Sequence, residues 1–330
     1  MASSAWATLS TGRDMPKAIK HLQAVVREID EPLPGVKRLV LADQDGWRLP
    51  AFRPGAHIDL HLANGLVRTY SLCNEPADCR RYVIAVKREE AGRGGSRHIH
   101  DELRAGEVIG VSVPRSGLEL SPTGMNIFVA GGIGVTPFVS AILAMEREGQ
   151  SNYQLHWASM GEPSLIDMLA PAVKGGRVHL YNTLEVSPPD IRSIVEGSGP
   201  DAKAFCCGPA GMLDAFESAV AEWPESRKHV ERFTAPKLVP TLNAQPYSVV
   251  LARSGREMEV RPEVGLLATL EAMDADISVS CAGGICGACR TRWIEGPPIH
   301  HDRVLSPQER AHEVIVCVAE CAGPRLVLDL

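Results

Sequence analysis

The amino-acid sequence predicts a multidomain protein of the β and α/β classes, with three folded regions. Short β-branched runs fill the first part of the chain, strand and helix patterns alternate after residue 123, and a C-terminal loop concentrates three cysteines among glycines. A chain of 330 residues is also too long for one ordinary hydrophobic core, so its length favours two or three domains. The three patterns together favour three domains.

The first folded region, residues 17–122, is predicted to be a small antiparallel β-barrel. Short strands separated by Gly, Pro, Asn or Asp are typical of such barrels. One helix is expected inside it over residues 96–106, with Ser96 as its N-cap and Gly106 as its end. Residues 1–16 lack a signal-peptide pattern and are expected to form a flexible leader. The strand-like runs are VKRLVLA (36–42), HIDLHL (57–62), VRTYSL (67–72), RYVIAVKR (81–88) and VIGVSVP (108–114).

The second region, residues 123–235, is predicted to be a parallel α/β domain. A strand, the glycine turn GGIGVTP (131–137) and a helix follow one another, and further strands alternate with helices. Gly132 and Gly134 let the backbone approach a pyrophosphate, whose charge the helix N-terminus stabilises. Pro137 replaces the third glycine of the usual motif and suits a first helical turn. The turn CCGP (206–209) strengthens this Rossmann-like prediction, with a plain tight turn as the alternative.

The third region, residues 247–330, is predicted to follow a linker at 236–246. The segment APKLVPTLNAQP (235–246) contains three prolines, which favour a linker over a helix or strand. A hairpin turning at Ser254 and Gly255 is expected next, and then a helix over residues 265–273. The small domain therefore begins as a hairpin and a helix before it reaches the cysteine loop.

The cysteine loop CAGGICGAC (281–289) has the spacing C-x4-C-x2-C, and Cys317 follows 28 positions after its last cysteine. This is the plant-type spacing for a 2Fe–2S cluster with Cys281, Cys286, Cys289 and Cys317 as ligands. Glycines let the backbone wrap the cluster and direct N–H groups at its sulfurs. A zinc site is the alternative, although zinc sites usually pair their cysteines in two short motifs. Cys317 is preferred to Cys321 because VIVCVA predicts a buried strand and AECAGP an exposed turn.

The composition argues against several functional classes. The net charge is −6 and no block of Lys or Arg resembles a nucleic-acid footprint. No apolar run approaches the ~20 residues that a membrane-spanning helix needs. Without a secretory signal the predicted compartment is the cytoplasm, where the nine cysteines are expected to be ligands or core residues rather than disulfides. We also expect a monomer.

Three motifs in one order carry a specific resemblance. RTYSL (68–72), GGIGVTP and CCGP resemble the ferredoxin–NADP reductase superfamily. Because a plant-type ferredoxin pattern follows them, nearly the whole chain resembles the phthalate dioxygenase reductase family. The resemblance implies a flavin-binding barrel, an NAD-binding domain and a C-terminal ferredoxin domain of β-grasp fold.

The resemblance implies a flavin site in the barrel. Arg68 and Ser96, with the backbone of Gly94 and Gly95, would hold the flavin phosphate, because an arginine beside a helix N-terminus suits an anion. Tyr70 would pack along the flavin, with an ordinary place in the core as its alternative. The other implied flavin contacts are Thr69, Ser71, Ala85 and Lys87. Ser71 would lie near N5, the atom that accepts hydride.

The resemblance also implies a dinucleotide site. Cys207 would lie near the nicotinamide, and Phe233 would cover the isoalloxazine face, again with core packing as the alternative. Ser71, Cys207 and Phe233 are therefore the predicted catalytic residues. The implied dinucleotide contacts are Gly132, Gly134, Thr136, Pro137, Cys207, Gly208 and Pro209.

The predicted cofactors are FMN, a 2Fe–2S cluster and NADH. FMN is favoured over FAD because GRGGS leads directly into a helix that suits a terminal phosphate, and PRSGLELSP (114–122) offers no aromatic ring to an adenine. NADH is favoured over NADPH because ASMGEPSLIDML (158–169) contains no Arg or Lys, while Glu162 and Asp167 would repel a 2′-phosphate.

The expected function is electron transfer. A flavin accepts a hydride and releases electrons singly, whereas the cluster carries one electron at a time. The sequence therefore predicts a reductase that passes electrons from NADH through flavin and cluster to a partner. By resemblance, that partner is a Rieske-type aromatic-ring oxygenase or O-demethylase. A diiron hydroxylase as acceptor, or a redox-sensing iron–sulfur protein, are the alternatives.

Overall fold

A computed structural model describes residues 22–233 and 245–330. Within these ranges the chain forms three sheets of five or six strands and one two-stranded ribbon. The predicted leader (1–16) and most of the predicted linker (236–246) lie outside the described residues. Among the helices of the described ranges, none has both the length and the apolar character to span a bilayer.

The first sheet is antiparallel and has the strand order β4-β3-β6-β1-β2-β5. A bridge between Leu72 and Ile84 joins the end of β4 to β5 and closes the sheet into a barrel. The predicted strands are confirmed, but β1 was missed because only its first half is buried and charged residues fill the rest. The strands are β1 (Leu22–Leu33), β2 (Val36–Ala42), β3 (His57–His61), β4 (Val67–Ser71), β5 (Tyr82–Lys87) and β6 (Val108–Val111).

The barrel helix α1 (Gly95–Asp101) is shorter than predicted, and both of its predicted ends were wrong. Gly94 is the N-cap and has a left-handed backbone with φ of 86°, which favours glycine. The Ser96 hydroxyl does not cap the helix, because it accepts a hydrogen bond from the N–H of Glu89 at 3.1 Å. The helix ends one turn before Gly106, which lies in a turn leading to β6.

The second sheet is entirely parallel, with the order β11-β10-β7-β8-β9, as the alternating pattern predicted. Its core is aromatic, since Phe128 packs on Phe138 and Phe205 at centroid distances of 5.1 and 5.2 Å. Short 3-10 turns precede α2, α3 and β11. The elements are β7 (Asn126–Gly131), α2 (Thr136–Arg147), β8 (Tyr153–Ser159), α3 (Ala170–Lys174), β9 (Val178–Asn182), α4 (Ile191–Glu196), β10 (Lys203–Cys207), α5 (Ala210–Ala219) and β11 (Lys228–Glu231).

The third sheet is mixed, with the order β13-β12-β18-β14-β16, and only its β12–β18 pair is parallel. The predicted hairpin is confirmed, and Gly255 turns it with φ of 70°. A helix packed against such a sheet is the β-grasp arrangement that was predicted. The elements are β12 (Tyr247–Leu251), β13 (Glu257–Val260), α6 (Gly265–Ala272), β14 (Arg290–Glu295), β15 (Pro298–Ile299), α7 (Pro307–Arg310), β16 (Glu313–Ile315), β17 (Glu320–Cys321) and β18 (Arg325–Leu328).

The local structure predicted for Cys317 and Cys321 was wrong. Strand β16 ends at Ile315, so Cys317 lies in the turn that follows it. Cys321 belongs to β17, where it is 8% exposed and packs in the core of the small domain. The turn brings Cys317 towards the cysteine loop, whereas the ribbon with β15 directs Cys321 into the apolar interior.

Ion pairs and hydrogen bonds join the barrel to the parallel domain. Arg38 on β2 binds Asp30 on β1 and also contacts Asp167 of the parallel domain at 2.6 Å. The N–H of Gly55 donates to the buried hydroxyl of Ser140 on α2 at 2.8 Å. Asp167 therefore already has a cationic neighbour in Arg38, and its role in repelling a 2′-phosphate stays a prediction.

The two glycine turns of the parallel domain pack backbone against backbone. A Cβ on Gly134 would lie 2.3 Å from the carbonyl oxygen of Cys207, and one on Gly131 would lie 2.4 Å from Cδ of Pro209. The ends of the neighbouring strands β7 and β10 therefore approach each other only because these positions have no side chain. This contact fixes the shape of the surface that both turns present.

We predict that Gly134→Ala destabilises the protein by about 1–3 kcal/mol, because the added methyl group overpacks a backbone contact that cannot yield. Urea unfolding measures the change in free energy. The matched control is Gly211→Ala in α5, where an added Cβ meets nothing within 4 Å, so stability should stay the same or rise slightly. Equal stability of the two variants would contradict the prediction.

Candidate functional site

The three regions meet at one cavity of about 1170 Å³, here called the central cleft. The barrel contributes the whole of Arg68–Ser71 on β4, and the parallel domain contributes both glycine turns. The small domain contributes Cys281 and Cys286 from the cysteine loop. Residues that the sequence assigned to three different cofactors therefore line a single space.

The barrel wall of the cleft carries most of the predicted flavin residues. Tyr70 is half-buried, and burial raises the pKa of its hydroxyl well above the usual range, so it stays neutral. Gly94 does not line the cleft, because it serves as the cap of α1. The predicted flavin residues that do line it are Arg68, Thr69, Tyr70, Ser71, Ala85, Lys87, Gly95 and Ser96.

Arg68 forms a positively charged site beside the first turn of α1. Its guanidinium donates to the carbonyl oxygens of Val67 and Arg93, each at 2.8 Å. A Cβ on Gly95 would lie 2.5 Å from Cγ of Arg68, so this glycine leaves room for the arginine. Burial and the neighbouring Arg93 lower the pKa of Arg68. Within residues 22–233 and 245–330 neither arginine has a carboxylate partner, and an anion such as a phosphate would complete the site.

The dinucleotide wall is built from the two glycine turns. Gly132 has φ of 54°, and its carbonyl oxygen accepts a hydrogen bond from the indole of Trp157 at 2.9 Å. Pro137 lies in the first turn of α2 and does not border the cleft. The predicted dinucleotide residues that line the cleft are Gly132, Gly134, Thr136, Gly208 and Pro209.

Cys207 does not lie on the surface of the cleft, where its predicted role beside the nicotinamide would place it. It is 1% exposed at the end of β10 and is not among the residues that line the cleft. Burial, followed by the nearby charge of Glu231, raises the pKa of its thiol, so the group is neutral. Its backbone carbonyl, against which Gly134 packs, is the part of Cys207 closest to the nucleotide turn.

Phe233 lines the cleft beyond the end of β11 and is 51% exposed. It is therefore not the core aromatic residue that the alternative interpretation required. Glu231, two residues earlier, also lines the cleft and accepts a hydrogen bond from His229 at 2.9 Å. Burial opposes its ionisation, but His229 outweighs burial and lowers the pKa of the carboxyl group. Sequence reasoning missed Glu231, although it lies only two residues before the predicted site residue Phe233.

His57 on β3 is a second lining residue that sequence reasoning missed. It is 9% exposed, and its Nε2 atom has no hydrogen-bond partner among the described residues. The imidazole lies between Glu231 and the backbone of Cys286, and desolvation lowers its pKa. The alternation in HIDLHL was the available signal, because a polar residue facing away from the barrel interior is buried only if another region covers it.

The four predicted cluster ligands come together around the cysteine loop. The thiols of Cys286 and Cys317 both contact the sulfur of Cys281 and lower its pKa, and Cys317 likewise lowers the pKa of Cys289. The N–H of Gly283 donates to the sulfur of Cys281 at 3.4 Å. Cys321 is not part of this group, since its thiol donates to the carbonyl oxygen of Arg325.

The sulfurs form one chain of contacts in the order Cys286, Cys281, Cys317 and Cys289. In the part of the chain that the structure describes, no three His, Cys, Asp or Glu side chains are arranged around a single metal ion. A structural zinc ion would need all four sulfurs at about 2.3 Å from one point, whereas a 2Fe–2S cluster is larger and has two irons to share four thiolates. Two irons can share four sulfurs that do not surround one point, so this group of cysteines can hold a 2Fe–2S cluster.

Comparison with known proteins agrees with this arrangement. Residues 249–322 match the model of the 2Fe-2S iron-sulfur cluster binding domain. Tetrachlorobenzoquinone reductase of Sphingobium chlorophenolicum is 35% identical over 330 residues, which cover 96% of this chain and 100% of that protein. Phthalate dioxygenase reductase of Burkholderia cepacia is 34% identical over 295 residues, covering 88% and 91%.

Two solved structures are also similar. The structure of phthalate dioxygenase reductase, described as modular for electron transfer from pyridine nucleotides to [2Fe-2S], matches with a TM-score of 0.69 and 32% identity, covering 94% of this chain and 98% of that one. An intact self-sufficient cytochrome P450 monooxygenase matches with a TM-score of 0.82 and 32% identity. This chain is similar to only 41% of that longer protein.

The fold, the central cleft and the similarity to known reductases together define an NADH-dependent flavin and iron–sulfur oxidoreductase. The chain belongs to the phthalate dioxygenase reductase family. Its cofactors are FMN, a 2Fe–2S cluster and NADH, and it passes electrons from NADH through flavin and cluster to an oxygenase component.

The geometry at Arg68 generates a prediction about flavin binding. We expect Arg68→Gln to weaken FMN binding by about tenfold to a hundredfold, because a charge-assisted contact to phosphate is lost. Riboflavin, which has no phosphate, should bind the variant and the parent equally well. Flavin fluorescence titration of the apoprotein measures both affinities. Arg97→Gln, on the exposed side of α1, is the matched control and should bind FMN as the parent does. Equal loss of FMN and riboflavin affinity would contradict a phosphate contact.

Proposed function

We propose that this chain is the reductase of a multicomponent oxygenase whose terminal component is a Rieske-type aromatic-ring oxygenase or O-demethylase. The single observation that carries the proposal is the central cleft, where both glycine turns, strand β4 and two cysteines of the cluster loop face one space. A flavin bound there would adjoin both the nicotinamide turn and the cluster. Hydride could then enter on one side and single electrons leave on the other.

We assign the residues accordingly. Arg68, with Gly95 and Ser96, holds the flavin phosphate, and the rest of β4 lines the flavin. The turns at 131–137 and 207–209 hold the dinucleotide, with Phe233 over the flavin face. Residues 17–122, 123–235 and 247–330 serve flavin, NADH and cluster, with 236–246 as linker. The assigned cluster ligands are Cys281, Cys286, Cys289 and Cys317.

The proposed catalytic residues are Ser71, Cys207 and Phe233. Ser71 and Phe233 line the cleft and can contact the flavin directly. Cys207 does not line the cleft and acts through its backbone carbonyl, against which Gly134 of the nucleotide turn packs.

We further propose that the protein works as a monomer in the cytoplasm. All three proposed cofactor sites lie on one chain and share one cleft, so electron transfer to the cluster requires no second copy. Nine unpaired cysteines, two of them buried side by side at positions 206 and 207, suit a reducing compartment.

A haem-containing oxygenase is the second candidate partner. The match to a self-sufficient cytochrome P450 covers 93% of this chain, so the same three-part architecture occurs beside a haem domain. A relative named as the beta subunit of a heme-dependent oxidative N-demethylase is 37% identical over 287 residues. Each candidate partner accepts single electrons from the same cluster.

The choice of partner is tested by reconstitution. Purified reductase is combined in turn with a Rieske-type aromatic-ring oxygenase, a cytochrome P450 and a diiron hydroxylase, and NADH oxidation is measured together with product formation. Our proposal predicts coupled turnover with the Rieske-type oxygenase. Coupled turnover only with a haem or diiron enzyme would contradict it.

The contacts of Cys317 with Cys281 and Cys289 generate a prediction about the fourth ligand. We expect Cys317→Ser to lose or severely destabilise the cluster, because an alkoxide is a poorer iron ligand than a thiolate. Cytochrome c reduction should disappear, whereas reduction of ferricyanide by the flavin should remain. Cys321→Ser is the matched control, because Cys321 packs in the core away from the loop. It should keep the visible and EPR spectra of the parent. The reverse pattern would contradict the ligand assignment.

A further inference from the structure

The residue before the first cluster ligand is tied to the barrel by a chain of hydrogen bonds. Ser280 is 4% exposed, and its hydroxyl lies 2.7 Å from the hydroxyl of Thr69 on β4. Thr69 in turn lies 2.7 Å from Oδ1 of Asp59, its direct cross-strand partner on β3. The other oxygen of Asp59 accepts from Arg115 at 2.8 Å. This set, Ser280–Thr69–Asp59–Arg115, is here called the joint.

The ionisation of Asp59 fixes the direction of every hydrogen bond in the joint. Burial opposes the charge of Asp59, but Arg115 and the hydroxyl of Thr69 outweigh burial and lower the pKa of the carboxyl group. A carboxylate only accepts, so the single hydroxyl hydrogen of Thr69 points to Asp59. Thr69 must then accept from Ser280. The hydroxyl hydrogen of Ser280 therefore points towards the barrel and away from the cleft that Cys281 borders.

Two further contacts hold the same loop, one from the barrel and one from within the small domain. The guanidinium of Arg93 donates to the carbonyl oxygen of Ser280 at 3.3 Å. Arg303 donates its backbone N–H to the carbonyl oxygen of Gly284 at 3.0 Å, and its side chain approaches Glu217 of α5 at 3.6 Å. Of these contacts, only the joint ends in a buried charge, that of Asp59.

We propose that Asp59 is a positioning residue for electron transfer, which acts through Thr69 and Ser280. It anchors the cluster loop to the flavin barrel and keeps the hydroxyl hydrogen of Ser280 from the cluster sulfurs. The second effect keeps the cluster potential low, because a hydrogen bond to a cluster sulfur stabilises the reduced, more negative state. This inference rests on the proposed function, in which Cys281 is a cluster ligand.

The first test uses Asp59→Asn, which keeps the size of the side chain. Arg115 still requires an acceptor, so the amide oxygen faces Arg115 and the amide nitrogen donates to Thr69. The joint then reverses, because Thr69 donates to Ser280 and frees the Ser280 hydrogen for the cleft. We expect the midpoint potential of the cluster, measured by EPR-monitored redox titration, to rise. The loss of the negative charge of Asp59 also raises this potential.

Ser280→Ala separates the hydrogen bond from the charge. In the parent background this change should leave the cluster potential where it is, since the hydroxyl hydrogen already points elsewhere. In the Asp59→Asn background it should remove part of the increase, and this non-additive result isolates the reversed bond. A purely structural role for Asp59 predicts the same shift from Ser280→Ala in both backgrounds, and that result would overturn the proposal.

A second measurement keeps the proposal testable if Asp59→Asn does not fold. Ser280→Ala alone removes the end of the joint, so the loop should occupy its docked position less. Flavin-to-cluster transfer in stopped-flow experiments should then slow by up to roughly fivefold, the equilibrium factor that corresponds to one ordinary hydrogen bond. Reduction of ferricyanide by the flavin should keep the parent rate. An unchanged flavin-to-cluster rate would overturn the anchoring role. A parent protein that shows no reducible cluster would refute the proposed function instead, so the two failures are distinguishable.

Discussion

The contact between the cysteine loop and strand β4 is the constraint on which the rest of the structure depends. Electrons pass singly to the cluster only if its edge lies close to the flavin, and the flavin in turn must leave one face open to the nicotinamide. The molecule meets both requirements in one cleft, because Cys281 and Cys286 face the same space as Tyr70 and the glycine turns. Each folded region therefore supplies one wall.

A shared apolar core, which includes Val83 and Leu118 of the barrel and Phe138 of the parallel domain, joins these two regions, and close glycine contacts shape each wall from within. Gly134 packs on the carbonyl of Cys207, and Gly95 packs on the side chain of Arg68, each at a distance that leaves no space for a Cβ atom. Gly284, with φ of 72°, lies where a Cβ would meet Val318 at 2.8 Å. Glycines at such positions would let backbone N–H groups approach an anionic cofactor.

Much of this arrangement was predictable from local sequence. The strand–glycine turn–helix pattern predicted the parallel sheet, and the cysteine spacing predicted which sulfurs come together. The local setting of Cys317 was not predictable from hydrophobicity, because VIVCVA satisfies a strand pattern although the strand ends at Ile315. The end of that strand is set by pairing with β14, which is a long-range contact that no local pattern records.

The site residues that sequence reasoning missed were all missed for the same reason. His57 and Asp59 alternate with the core residues Ile58 and Leu60 on β3, so a single strand predicts them to be exposed. They are buried because the cysteine loop, more than two hundred positions later in the chain, covers that face of the barrel. Arg93 was missed for the same reason, since its partner is the carbonyl of Ser280. The site residues that no motif contains are therefore determined by contacts between the folded regions.

The central claim is that one cleft carries electrons from NADH through the flavin to the cluster. Anaerobic titration of the holoprotein with NADH, followed by absorbance and EPR, tests it most directly. FMN takes two electrons and the cluster one, so we predict an end point of about 1.5 NADH per chain and one reduced-cluster EPR signal. An end point at about one NADH, with a bleached flavin and no EPR signal from the cluster, would contradict the account.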